Sequence, residues 1–77
     1  MAQVRYFAAA EEFAGRATEE RAEATLAALR AGLSADYPAL GSILPRCAVL
    51  VAGARVPDDT TLTPTVTVDV LPPFAGG

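Results

Sequence analysis

Residues 3–8 alternate. Val4 and Tyr6 share one side of an extended chain, and Gln3, Arg5 and Phe7 share the other. A period of two carried by β-branched and aromatic residues predicts a strand. With Val4 and Tyr6 turned to a core, Phe7 lies on the outer face, where a large ring hints at a contact surface. Residues 65–71 repeat the pattern: Val66, Val68 and Val70 on one face, Thr67, Asp69 and Leu71 on the other. Leu71 is the apolar member of a polar face. If the first and last strands are neighbours, Phe7 and Leu71 share an outer surface.

The middle of the chain changes period. Residues 9–14 read as a short helical turn that Gly15 stops. Leu26, Leu29, Leu33 and Tyr37 recur at helical spacing, and Tyr37-Pro38 ends that helix, because a residue before proline avoids the α region. Gly32 inside it costs about 1 kcal/mol against alanine and marks close packing on a sheet. Residues 39–45 read as a loop with a short turn, with Leu40, Ile43 and Leu44 sealing the bottom of the core. Residues 47–52 form a continuous apolar run, expected as a central strand. Ala52-Gly53 turns it, and residues 54–56 return as a short strand. Residues 57–60 have turn composition.

Residues 16–24 support two readings. Thr18-Glu19-Glu20 has the form of a helix N-terminus, a threonine cap with acids in the first turn. That makes one helix from about residue 19 to residue 35, the reading local rules favour. The alternative is a short polar edge strand over residues 17–21, with Thr25 capping a later helix.

Composition narrows the function classes. The 77 residues are 52 % hydrophobic and 19 % charged, which describes one small globular domain. Such a domain has little room for both a core and a deep cleft. No apolar run approaches a membrane span, and the opening residues show no signal-peptide pattern, so a cytoplasmic location is expected. Net charge is −3, and the six basic residues are all arginines, scattered along the chain. That excludes the clustered basic patch of a nucleic-acid surface. Histidine is absent and cysteine occurs once. No Ser–His–Asp or Cys–His dyad, intrachain disulfide or Cys/His zinc site can be built. Cys47 reads as a small buried hydrophobe. Glu11-Glu12 diverge on a helix as a solvated face, and Asp58-Asp59 belong to a turn, with no third oxygen ligand nearby.

What remains is the ending, Pro72-Pro73-Phe74-Ala75-Gly76-Gly77. Prolines fix φ and favour an extended chain. Glycines permit the close approach of another backbone. Fully extended, this stretch reaches roughly 20 Å. It reads as a stiff stalk with a soft tip whose only chemistry is a terminal carboxylate on Gly77. The domain proper is expected over residues 1–71, with residues 72–77 as a tail.

Three stretches carry a resemblance: Val4-Arg5-Tyr6-Phe7-Ala8; Leu50-Val51-Ala52-Gly53-Ala54-Arg55-Val56; and Val68-Asp69-Val70-Leu71-Pro72-Pro73-Phe74-Ala75-Gly76-Gly77. In order and length the chain resembles the ubiquitin-like MoaD/ThiS sulfur carriers, most closely the molybdopterin-synthase branch, which Pro-Pro before Gly-Gly typifies. It departs from the family pattern at Glu11, where arginine is frequent, at Ala52, where asparagine is frequent, and at Pro64-Thr65, in place of Gly-Asp.

The resemblance implies an α+β fold, the ubiquitin-like β-grasp: a mixed sheet with one main helix on one face. It implies a non-catalytic, sulfur-donating subunit that binds no cofactor. A MoeB-like adenylating enzyme spends ATP to activate Gly77, and a sulfur donor enzyme converts it to a thiocarboxylate. A MoaE-like large subunit then uses that sulfur on cyclic pyranopterin monophosphate. Gly76 gives passage through the partner's tunnel. Phe7, Leu71, Pro72, Pro73, Phe74 and Ala75 are the expected partner contacts, and acids such as Asp69 are expected to steer docking. Two alternatives stay open: a carrier for thiamine or cysteine synthesis, and a plain ubiquitin-like interaction module.

Overall fold

The computed structural model describes residues 1–73. The alternating segments form the centre of one sheet: β1 (Ala2–Tyr6) and β4 (Thr67–Leu71) lie parallel, with Val4 opposite Val68 and Tyr6 opposite Val70. β2 (Thr18–Arg21) adds antiparallel to β1, and β3 (Ala48–Val51) adds antiparallel to β4, giving the order β2-β1-β4-β3. The sheet is therefore mixed, with the chain's first and last strands side by side. Val4, Tyr6, Val68 and Val70 are buried beneath the helices, and this fixes the register, since a one-residue slip would expose every one of them.

The helices lie on that buried side. α1 (Ala9–Ala14) ends at Gly15, whose φ of 75° is left-handed and whose N–H returns to the Glu11 carbonyl at 2.9 Å. α2 (Leu26–Asp36) is the long helix, and it turns Leu26, Leu29 and Leu33 into the core. Each such leucine contributes about 1.5–3 kcal/mol when fully buried. Thr25 caps the helix: its Oγ1 accepts from the Ala28 N–H at 3.2 Å.

Pro38 stops α2 but also starts another helix. Residues 39–45, expected as a loop with a short turn, are instead largely helical: α3 (Pro38–Ile43) is followed by a 3-10 turn over Leu44–Arg46. The reason is positional. Proline is tolerated in a first helical turn, where its missing N–H has no partner to lose. Leu40, Ile43 and Leu44 are buried, as their spacing implied.

Residues 16–24 take the strand reading, against the local signal for a helix. Glu19 and Arg21, two apart, share the inner face only in an extended chain. There Glu19 accepts the hydroxyls of Tyr6 at 2.5 Å and Tyr37 at 2.9 Å. Tyr6 and Tyr37 themselves meet edge to face, with centroids 6.3 Å apart. Arg21 donates Nε and Nη2 to Glu23 and Nη1 to Asp36, the last at 2.7 Å. The clasp ties β2 to α2. A Cβ on Gly32 would fall 2.2 Å from the Glu23 carboxylate and 2.6 Å from the Arg21 guanidinium. Gly32 thus makes room for this ion pair, not for the sheet backbone.

β3 is not central, as its apolar run had implied, but stands at the end of the described sheet. Its alternation explains the composition: Val49 and Val51 face the core, while Ala48 and Leu50 are partly covered on the other face. Nor do residues 54–56 form a strand. Val51 and Ala54 exchange backbone bonds of 2.8 and 3.1 Å around Ala52-Gly53, and the pairing stops there.

Candidate functional site

The helix-free face of the sheet and the exit of β4 are where the sequence-predicted contact residues converge. The Phe7 N–H donates to the Val70 carbonyl at 3.1 Å, which extends the β1–β4 pairing and sets Phe7 beside Leu71 on the outer face. Phe7 is 39 % exposed and Leu71 is half-buried. Leu50 and Ala48 of β3 continue the same face, Leu50 opposite Asp69 and Ala48 opposite Leu71. Leu50 was missed in the sequence because a continuous apolar run hides which of its members face outward.

Between the apolar residues lies one ion pair. Arg5 donates Nε to Asp69 Oδ1 at 2.6 Å and Nη2 to Oδ2 at 2.9 Å, a bidentate geometry. The same guanidinium sits 5.6 Å from the centroid of Phe7. The carboxylate pushes the Arg5 guanidinium further above its ordinary value, chiefly through that hydrogen bond. Asp69, read from sequence as a steering acid, therefore has its charge compensated by Arg5. The signal was present in the alternation: Arg5 and Asp69 are both outward positions on the two outermost strands in sequence. Only the parallel pairing, with Arg5 directly opposite Asp69, makes them partners.

β4 leads straight into the tail. Pro72 is buried against the domain and Pro73 is exposed, so the packed body runs one residue past the strand. Phe74, Ala75, Gly76 and Gly77 lie outside the described residues.

Elsewhere the chemistry is sparse. Among the described residues no group of three acids, histidines or cysteines can hold a metal ion. No helix among them is long and apolar enough to cross a membrane. Cys47 is buried, its Sγ 3.4 Å from the Ile43 carbonyl, and burial raises the thiol above its ordinary value. A groove of about 470 Å³ on the helix side is lined by Arg30, Ala31, Ser34, Leu44, Pro45 and Asp58. An exposed Arg30–Asp58 pair at 3.1 Å crosses it. It holds no thiol or paired carboxylates for acid–base work.

Known structures share this architecture. SAMP1 from Haloferax volcanii superposes with a TM-score of 0.78 at 23 % identity, over 99 % of this chain and 98 % of that one. The molybdopterin converting factor subunit 1 of Pyrococcus furiosus gives 0.79 at 25 % identity, over 94 % and 95 %. The Haloferax volcanii HVO 2177 protein gives 0.75 at 27 %, over 99 % and 85 %. No curated protein matches the sequence. The fold is the β-grasp that the strand order, the single long helix and the parallel central pair describe. With a family model matched over residues 4–77, the chain belongs to the ThiS family of ubiquitin-like sulfur carriers.

Proposed function

We propose that the protein is the sulfur-carrier small subunit of a molybdopterin synthase. The reading requires a free α-carboxylate on Gly77, a group that is ionised and unreactive near neutral pH. A MoeB-like adenylating enzyme joins it to AMP and releases pyrophosphate from ATP. A sulfur donor enzyme then displaces AMP: a C–S bond forms, the C–O bond to AMP breaks, and a thiocarboxylate results. A MoaE-like large subunit takes the charged tail and transfers the sulfur to cyclic pyranopterin monophosphate, toward the dithiolene that holds molybdenum. The small subunit supplies the acyl group and its delivery; catalytic side chains come from its partners.

The observation that carries the choice of pathway is Pro72-Pro73 ahead of Gly76-Gly77, at the end of a family match that runs to residue 77. The likeness to the Pyrococcus furiosus converting factor supports it. Phe7, Leu71, Pro73, Phe74 and Ala75 serve as partner contacts, and Pro72 sets the direction in which the tail leaves. Less chain entropy is lost when a stiff segment docks.

Reconstitution tests the reading. The chain is incubated with ATP, an adenylating enzyme and a sulfur donor, and its intact mass is expected to show one oxygen replaced by sulfur. The charged chain with the large subunit is then expected to convert the pterin precursor, and deletion of Gly77 to abolish conversion without altering thermal unfolding. A charged chain that leaves the pterin unchanged assigns the carrier to another pathway, thiamine or cysteine synthesis. A chain that no adenylating enzyme charges is an interaction module.

A further inference from the structure

β2 closes the sheet on the side away from β3, and its outer edge is open. The Tyr6 N–H donates to the Ala17 carbonyl at 2.8 Å, so these two residues form a hydrogen-bonded antiparallel pair. Bonded and non-bonded pairs alternate along such a ladder. Glu19 opposite Val4 and Arg21 opposite Ala2 therefore also bond to β1, whereas Thr18 and Glu20 turn their N–H and C=O groups away from it. Among the described residues no strand lies beyond β2 to receive them. A groove of about 460 Å³ follows this edge, lined by Glu19, Glu20, Arg21, Ala22 and Glu23. It shares Arg21, Ala22 and Glu23 with a further hollow of about 270 Å³, where Met1, Leu62 and Pro64 add apolar walls.

The charge around the edge is one-sided. Glu20 is exposed on the helix-free side of the sheet. On the helix side Glu19, Glu23 and Asp36 gather round Arg21, and Arg16 reaches Glu19 at 3.5 Å. Four carboxylates thus meet two guanidiniums, and the edge carries an excess of negative charge. Charged side chains on an edge strand turn away neutral and like-charged strands. A second copy is turned away in the same manner: antiparallel pairing of β2 with its own copy, centred on the strand, would set Glu19 opposite Glu20 at both symmetric positions, and like charges directly opposite destabilise a ladder. A strand of positive charge meets no such penalty.

We propose that the β2 edge is a docking site for an extended, basic segment of a partner protein, which adds to the four-stranded sheet as a further strand beside β2. Its backbone pairs with the N–H and C=O groups of Thr18 and Glu20. Its arginine or lysine side chains meet Glu20 on one face, and Glu23 and Asp36 on the other. The site uses neither the outer-face residues Phe7, Leu50 and Leu71 nor the tail, so it stands whether or not the chain carries sulfur.

The isotope-labelled 77-residue chain is titrated with the capped peptide acetyl-Arg-Val-Arg-Val-Arg-Val-amide and followed by amide NMR and calorimetry. The largest shifts, and the greatest slowing of amide exchange, are expected at Thr18 and Glu20. The counterpart peptide with glutamate in place of each arginine is expected to bind at least about tenfold more weakly. Glu20→Arg, at an exposed position, is expected to weaken the basic peptide severalfold and to leave thermal unfolding unchanged. The basic peptide N-methylated at every backbone nitrogen keeps its charge but can donate no ladder bond, and it too is expected to lose at least about tenfold. An N-methylated peptide that binds as tightly as the parent would overturn the proposal, since charge alone would then hold it. So would shifts confined to Phe7, Leu50 and Leu71, or none at Thr18 and Glu20 at millimolar peptide. Shifts at Thr18 and Glu20 that follow the protein's own concentration, with no peptide present, would assign the edge to a second copy instead.

Discussion

Ala52 holds a φ of 51° and Gly53 a φ of 82° in the two-residue turn after β3. Left-handed backbone costs a non-glycine residue roughly 1–2 kcal/mol, because Cβ crowds the next carbonyl oxygen. Glycine avoids this and asparagine tolerates it. The sequence showed the turn but not which residue would carry the strain, since Ala52 is an unremarkable alanine until its φ is known. Replacing it is expected to relieve the turn. Ala52→Gly or Ala52→Asn should stabilise the domain by about 0.5–1 kcal/mol, a Tm rise of roughly 4 °C in a domain of this size. Urea or thermal unfolding measures it, and a lowered Tm in both variants would contradict the assigned conformation. Ala8 also has a positive φ, 51° with a ψ of −125°, at the entrance to α1, where the chain leaves the outer face after Phe7.

At the scale of elements, β2 is the segment whose identity depends on partners distant in sequence. Its clasp to α2 centres on Arg21, which lowers the Glu23 carboxyl below its ordinary value, chiefly by hydrogen bonding. Deprotonated Glu23 is thus favoured more in the folded chain than in the unfolded one. A depressed folded pKa adds stability that is present above the unfolded value, near pH 4.5, and is lost as pH falls through the folded value. Glu23→Gln is therefore expected to be less stable than wild type at pH 7. The gap should close progressively below about pH 4.5, as read from urea midpoints across the range. A gap independent of pH would mean that the carboxylate's charge contributes nothing to the clasp. The same cluster shows why sequence reading split here. Thr18-Glu19-Glu20 is a fair helix start by local rules, and Glu19 gains its two tyrosine hydroxyls only once Tyr6 and Tyr37 arrive from β1 and the end of α2. β1, β4, α1 and α2 were legible because their periodicity and stops are local. α3 was not, because Pro38 serves as an end signal for one helix and a start for the next. β3's place at the sheet's end followed from pairing, which its composition does not encode.

In the whole molecule one sheet separates two duties, and consecutive residues of one segment fall on opposite sides of it. Tyr6 is buried on the helix side at 2 % exposure, bonded to Glu19; Phe7 stands on the open side at 39 %, over Arg5 and beside Leu71. The proposed function assigns folding to the first side and partner binding to the second. Tyr6→Phe removes a buried hydroxyl from a carboxylate and is expected to cost about 1.5–3 kcal/mol of stability. It should leave affinity for the large subunit unchanged, because the outer face and the tail are untouched. Phe7→Ala removes a ring that is 39 % exposed and partly covered by Arg5, and is expected to cost about 1 kcal/mol of stability, less than Tyr6→Phe. It should weaken the complex by about tenfold or more, the loss typical of an apolar anchor at an interface centre. Measuring unfolding and large-subunit binding on both variants gives four values, and the pattern is crossed: stability falls more in Tyr6→Phe, and affinity falls in Phe7→Ala alone. A Phe7→Ala chain that binds as tightly as wild type would remove the outer face from the interface. Binding would then rest on residues 72–77 alone, and docking would depend on the tail's length and stiffness without a fixed surface beneath it.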